Sequence, residues 1–294
     1  MLGSFYKSID RKNKNDIMKI GVDLGGTNMR ASLVDNGIIK AAKIIPCPSQ
    51  ASQEVIYDSL VKLIESVIEN KIESIGIGVP SVVDANKGIV YNVANIPSWK
   101  EIHLKDMLQK RFNVPVFVNN DANCFALGTK LFGVAKEYHN IVGITLGTGL
   151  GGGIIINDKL YNGSNTGAGE IGSLPYLKYD FEHYCSSGFF TTYYNITGAD
   201  AAVKACQGDK SIIDMWNEFG IHIGHLIKAV LLTYDPEIIV LGGGISSAFN
   251  LYEKSMWKVI NSFPYPETIK RLKVLVSDIN DIALLGASAL GENV

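Results

Sequence analysis

No two of the four cysteines, Cys47, Cys124, Cys185 and Cys206, form a C-x-x-C pair, and all lie far apart in sequence. That spacing offers neither a redox dithiol nor a paired-cysteine metal clamp, and it points to free thiols in a reducing compartment. No apolar run approaches the ~20 residues that cross a bilayer. The N-terminal stretch MLGSFYKSIDRKNKND lacks the apolar core of a secretion signal, so the cytoplasm is the expected location. Excess charge is missing too: 27 Lys and Arg face 29 Asp and Glu, a formal net charge of −2. A chain so balanced has no basic field with which to hold nucleic acid or an anionic membrane.

Hydrophobic residues make up 47% of the 294 positions, enough to bury a substantial core in one large domain or two ordinary ones. The 30 glycines fall in clusters, which marks places where backbone must come close to a ligand. Strand and helix signals alternate around those clusters. Residues 18–24 read as a buried strand ending in Gly25-Gly26-Thr27, and 30–34 and 37–45 continue as strands about an Asp35-Asn36-Gly37 turn. Helical spacing over 53–70, a strand at 74–79 stopped by Pro80, a helix at 103–112 and a strand at 114–118 complete the pass. A second pass succeeds it: helix 123–132, strand 140–146, a glycine run 147–153, strand 154–157, a long helix 211–234 and strand 237–241. That strand runs into Gly242-Gly243-Gly244 and a helix to 257, then strand 273–276 and helix 282–290.

Two such passes predict two α/β halves facing a cleft, with ligands at the C-terminal ends of the strands. The expected division is a small N-terminal domain, 18–119, and a larger one, 120–281. The closing helix, 282–294, packs back on the first, and 1–17 form a disordered leader.

Five segments carry chemistry. Asp23, Gly25, Gly26, Thr27 and Asn28 combine a strand-end carboxylate with glycines whose N–H groups can face phosphate oxygens, and Asp23 can hold magnesium through water; an ordinary Asp-Gly-Gly turn is the plainer reading. Gly147-Thr148-Gly149 opens a run that satisfies G-x-G-x-x-G, but the β-branched residues after it predict a strand where a dinucleotide fold needs a helix. A second phosphate clamp between hairpin strands fits better. Gly243 and Gly244 lie where a strand feeds a helix, suited to nucleotide or to a tight turn. Asp121, in Asn119-Asn120-Asp121-Ala122-Asn123, reads either as a helix N-cap or as a base for a substrate hydroxyl. Glu170 and Glu182 read either as solvated loop glutamates or as a carboxylate pair for a polyhydroxyl ligand.

In this order the segments resemble the ROK family of sugar kinases and sugar-responsive repressors, within the actin-like ATPase superfamily. Residues 23–30 look like its DxGGTxxR motif, and Gly78-Val79-Pro80 and Asn95-Ile96-Pro97-Ser98-Trp99 like its next signatures. Asn120-Asp121-Ala122-Asn123, Gly147 to Gly153, Ala168-Gly169-Glu170-Ile171-Gly172 and Pro236 to Gly244 come next in the family's order. The resemblance implies two actin-like (ribonuclease H-like) α/β domains and an ATP- and Mg2+-dependent hexose kinase acting at C6. Asp121 would be the catalytic base. Asn95, Asn120, Asp121, Glu170 and Glu182 would hold the sugar, and Asp23, Gly25, Gly26, Thr27, Asn28, Gly147, Thr148, Gly149, Gly243 and Gly244 the nucleotide.

Glucose is the favoured acceptor, ahead of N-acetylglucosamine, N-acetylmannosamine and fructose. The family's usual histidine after Glu-Ile-Gly is replaced by Ser173, and residues 173–180 hold no cysteine. No structural zinc is therefore expected. A non-catalytic sugar-responsive regulator is the alternative of another class; the leader before Met18 is too short for a helix-turn-helix domain. The expected partners are sugar and ATP, with assembly as a homodimer.

Overall fold

A three-stranded antiparallel meander starts each half. In the first it comprises β1 (Met18–Leu24), β2 (Asn28–Asp35) and β3 (Ile38–Pro46). Ile20, Val22 and Leu24 are fully buried along β1. The structure, a computed structural model, describes residues 18–69, 71–93, 95–165 and 167–292; the expected leader, 1–17, lies outside them. Helix α1 (Gln53–Glu65) starts at Ser52, whose hydroxyl accepts the Val55 N–H, and stops at Ser66, short of the predicted residue 70. The chain returns as β4 (Ile72–Val79), parallel to β1. A small sheet comes next, of β5 (Val82–Asp84), β6 (Ile89–Tyr91) and β7 (Glu101–Ile102), then α2 (Leu104–Phe112) and β8 (Val116–Asn120). The first large sheet runs β3-β2-β1-β4-β8.

Helix α3 (Asp121–Leu131) leads into the second meander, β9 (Ile141–Leu146), β10 (Leu150–Ile156) and β11 (Lys159–Leu160). An insertion interrupts the pattern here. It holds a 3-10 turn (Ile171–Ser173), the hairpin β12 (Pro175–Tyr176) and β13 (Tyr179–Asp180), and four helices: α4 (Phe181–Cys185), α5 (Ser187–Tyr194), α6 (Gly198–Cys206) and α7 (Lys210–Tyr234). Then come β14 (Ile238–Gly242), a 3-10 turn (Gly244–Ala248), α8 (Phe249–Ile260), α9 (Pro266–Arg271), β15 (Lys273–Val276) and α10 (Ile282–Ser288). The second sheet runs β11-β10-β9-β14-β15, the same connectivity as the first.

Each half has its own core, around Trp99 and Leu60 in the first and Trp216, Phe219 and Tyr252 in the second. A third cluster joins them through Phe125, Ala126, Ile282 and Leu285. Here α3 and α10 pack together, α3 also against β9 and β10, and α10 also against β1 and β4. Missing side chains make this sandwich possible. A methyl group at Gly76 would strike the Ala287 carbonyl, one at Gly128 the Ile282 carbonyl, and one at Gly286 the Cys124 carbonyl. Backbones this close pass strain from one helix to the other, because packed interiors have little free volume and low compressibility.

The glycine run 147–153 divides differently from the sequence expectation. Only Gly147, Thr148 and Gly149 form a loop; Leu150 to Gly153 are already in β10. A side chain at Gly153 would collide with the Ala122 carbonyl of α3, and one at Gly152 would meet Gly169 O at 2.6 Å. Half of the run therefore serves packing against α3 and against the segment that carries Glu170.

Candidate active site

A cleft of about 1150 Å³ opens between the two sheets. From the first half the β1–β2 loop contributes Asp23, Gly25, Gly26, Thr27 and Asn28, and the loop after β6 contributes Asn95. From the second come Gly147, Thr148, Gly149, Glu170, Glu182 and Gly243. Asn120 and Asp121 enter at the junction of β8 and α3. Gly244, the first residue of its 3-10 turn, is exposed but does not line the cleft. Every other residue that the sequence assigned to sugar or nucleotide does.

The two glycine turns are three-residue hairpin loops. In the first, Gly25 N–H donates to Asn28 O at 2.9 Å. In the second, Gly147 N–H donates to Gly149 O at 3.0 Å. Gly243 sits at φ 82, and a side chain on it would strike the Leu146 carbonyl, so glycine lets the end of β14 lie close to the second turn.

Asp121 is not the cap of its helix. Asn120 takes that place: its Oδ1 accepts the Ala122 N–H at 2.8 Å, and its Nδ2 donates to Ser81 O at 3.2 Å. Asp121 is the first helical residue, and its Oδ1 also accepts the Ala122 N–H at 2.8 Å. Capping and chemistry are thus divided between neighbours. Register explains how Asp121 reaches Asp23. Gly78 on β4 pairs with Asp23 on one side and Asn119 on the other. Lacking a side chain, it lets Asp121 Cα come within 3.3 Å of where a Cβ would stand. Burial raises the Asp121 pKa to about 7, Asp23 and then Glu170 adding to the rise while the Ala122 N–H opposes it. Asp23 is raised too, first by burial; Arg30, directly opposite on β2, lowers it and Asp281 raises it. A carboxylate titrating near neutrality in a cleft is a marker of chemistry as well as of burial.

Glu182, on α4, accepts the Leu150 N–H through Oε2 at 2.9 Å. Glu170 precedes the 3-10 turn and caps nothing; burial raises its pKa, and the charge of Glu182 adds to this. Asn95 is exposed on a loop anchored by fully buried Ile96 and Trp99, with Trp99 N–H donating to Ile96 O at 2.9 Å.

Several lining or supporting residues escaped the sequence reading. Arg30 lines the cleft and pairs with Asp281 at 2.7 Å; its place in the first motif was the available signal. Asn119 is buried, its Oδ1 accepting from Asn120 N–H and Asn123 Nδ2 and its Nδ2 donating to Asn162 Oδ1, each at 2.8 Å. Ser81 carried no sequence signal, because only the fold brings its carbonyl to Asn120.

Residues 173–180, where Ser173 stands in place of the family histidine, end the 3-10 turn and form the β12–β13 hairpin. Tyr176 stacks on Phe181 at 4.3 Å between ring centres, and its hydroxyl lies 3.1 Å from His222 Nδ1. Aromatic packing holds this hairpin. Among the described residues no helix is long and apolar enough to cross a membrane.

The ROK family's sequence profile matches residues 19–293. The chain belongs to the ROK family. A ROK family glucokinase from Streptomyces griseus, crystallised with glucose and AMPPNP, superposes with a TM-score of 0.81 at 28% identity, over 93% of this chain and 98% of that one. A glucokinase of Thermotoga maritima is 28% identical over 92% of this chain and 96% of its own length. A xylose repressor of Bacillus spizizenii is 30% identical over 95% of this chain and 78% of its own. The ROK kinases share the actin-like two-domain α/β architecture that the paired sheets display here.

Proposed function

We propose that the chain is an ATP-dependent sugar kinase that transfers the γ-phosphoryl group of Mg·ATP to a hydroxyl of a free hexose, the C6 hydroxyl, with glucose preferred. The observation that carries this reading is the position of Asp121. It lies in one cleft with two glycine turns and two glutamates, and its carboxyl titrates at about 7. Asp121 accepts the proton of the attacking hydroxyl. A base poised near the working pH combines a useful ionised fraction with good proton affinity.

The turns at Gly25–Thr27 and Gly147–Gly149 hold phosphate oxygens through backbone N–H groups, and positioning plus charge stabilisation supply most of the acceleration. Mg2+ bound with ATP would offset phosphate charge; hard cations favour oxygen donors, and Asp23, a cleft carboxylate, is the residue that would hold it. Asn95, Asn120, Glu170 and Glu182 hold the other hydroxyls. Asn120 keeps one lone pair and one N–H for this after its two protein bonds. Residues 18–119 and 120–281 act as the two bodies that close on the substrates and exclude water as a competing acceptor. The enzyme works in the cytoplasm as a homodimer.

A coupled assay of ADP release against glucose, N-acetylglucosamine, N-acetylmannosamine and fructose tests the reading. The expected result is sugar-dependent ADP release, highest with glucose. ADP release no faster with any sugar than without refutes the kinase. The 30% identical xylose repressor supports a second reading, a sugar-responsive regulator on the same frame. Sugar binding by calorimetry with no turnover would favour it.

A further inference from the structure

Residues 182–187 grip the second glycine turn at both ends. On the β10 side, Glu182 Oε2 accepts the Leu150 N–H at 2.9 Å. On the β9 side, Ser187 N–H donates to Gly147 O at 2.8 Å, and the Ser187 hydroxyl donates to Thr148 O at 3.3 Å. A side chain on Gly149 would meet Glu182 Oε2 at 2.7 Å. A side chain there would have to push this carboxylate aside and so disturb its bond to the Leu150 N–H. Segment 182–187 is itself fixed: Asp180 Oδ1 accepts the His183 N–H at 2.8 Å, and Ser186 Oγ accepts the Gly188 N–H at 3.2 Å. Glu182 is nonetheless exposed to the cleft, and Oε1 accepts no hydrogen bond among the described residues. Its neighbour Glu170 lines the same cleft but makes no corresponding tie to the turn.

We propose that Glu182 couples the acceptor subsite to the phosphate turn: Oε2 holds the Leu150 N–H, and with it the shape of Gly147–Gly149, while Oε1 takes a hexose hydroxyl. The inference rests on the kinase reading above and makes Glu182 a positioning residue for the nucleotide as well as a sugar contact. A hexose on Oε1 fixes the side-chain torsions, and a fixed carboxylate holds the N–H groups of the turn in one arrangement. Whichever ligand arrives first orders the group that the second requires, so the two bind cooperatively and by the same factor in either direction. Glu170, lacking the tie, contributes to sugar affinity alone.

Calorimetric titration of AMPPNP with Mg2+, with and without saturating glucose, reads this directly. Wild type should bind AMPPNP at least about 5-fold tighter with glucose present, and glucose tighter by the same factor with AMPPNP present. Glu182→Ala should weaken AMPPNP about threefold or more even without sugar, as for a lost hydrogen bond, and bring the coupling factor to one. Glu182→Gln keeps an amide oxygen for the Leu150 N–H, so its sugar-free AMPPNP affinity should return to the wild-type value although glucose binds more weakly. Glu170→Ala should weaken glucose and leave sugar-free AMPPNP affinity unchanged. A wild-type coupling factor of one, or a Glu182→Ala variant that behaves like Glu170→Ala, overturns the coupling. If glucose and the other three sugars give neither binding heat nor turnover with wild type, the kinase reading falls and the coupling with it. If sugar binds and turns over while Glu182→Ala leaves nucleotide affinity intact, only the coupling falls.

Discussion

The two sheets have one connectivity and unequal tasks. Both begin with a hairpin whose three-residue loop reaches the cleft, Gly25–Thr27 in the first and Gly147–Gly149 in the second. Both continue into parallel strands. They part company at the end of the meander. After β3 the first half goes straight to α1, whereas after β11 the second half inserts residues 161–234, and Glu170 and Glu182 come from that insertion. The frame repeats where phosphate would be held and diverges where an acceptor would be chosen. A repeated hairpin gives a two-sided clamp for a charged group that is the same in every reaction; loops can vary at little cost to the sheet that carries them.

Asp121 belongs to neither hairpin, and the comparison breaks most sharply there. Asp121→Asn should lower kcat by at least about 100-fold, the lower range for a positioned base, with little change in either KM. Near-normal turnover would make the junction of β8 and α3 structural only. The insertion is tested by Glu170→Gln: the glucose KM should rise about 10-fold, as for loss of a charged hydrogen bond, with the ATP KM unchanged. A raised ATP KM would mean that Glu170, like Glu182, serves both substrates. The repeated hairpins are tested by Thr27→Ala and Thr148→Ala, each raising the ATP KM about 3-fold and leaving the glucose KM alone; an effect from only one would deny the clamp its two sides.

Protonation sharpens the contrast further. With an Asp121 pKa of about 7, kcat/KM should fall as pH drops below that value. Asp23→Asn removes a neighbouring negative charge and should move this limb to lower pH in the residual activity; an unmoved limb would separate the two carboxylates. The smallest effect concerns stability. Folding raises the Asp121 pKa from 3.8 to about 7, so between those values the native state holds a proton that the unfolded chain has released. Stability therefore declines as pH rises through this window. Asp121→Asn should raise Tm at pH 8, where the wild-type carboxyl is ionised in both states, and change it little below pH 4. An equal Tm for the two proteins at pH 8 would show that the site stores no such cost.

Much of this was legible in the residues. Alternating buried strands and glycine turns announced two α/β passes, and the run of β-branched residues after Gly153 correctly favoured a hairpin over a helix. The extent of the second loop was not legible. Glycine has no side chain in a strand or in a turn alike, so Gly151 to Gly153 gave no hint that they also make room for α3 and the Glu170 segment. Which residue caps α3 was not legible for a related reason: Asn120 and Asp121 are both good caps in isolation, and the structure gives the place to Asn120, whose Nδ2 also bonds the Ser81 carbonyl.

By itself the sequence determined which residues carry acid, amide and glycine chemistry, because side-chain type and local spacing are properties of the chain alone. Tertiary structure decided which of them meet. Gly78, between Asp23 and Asn119 in the sheet, brings two carboxylates together, and their mutual charge and shared burial set the acidity of Asp121. That acidity depends on distances across strands far apart in sequence, which no local pattern encodes.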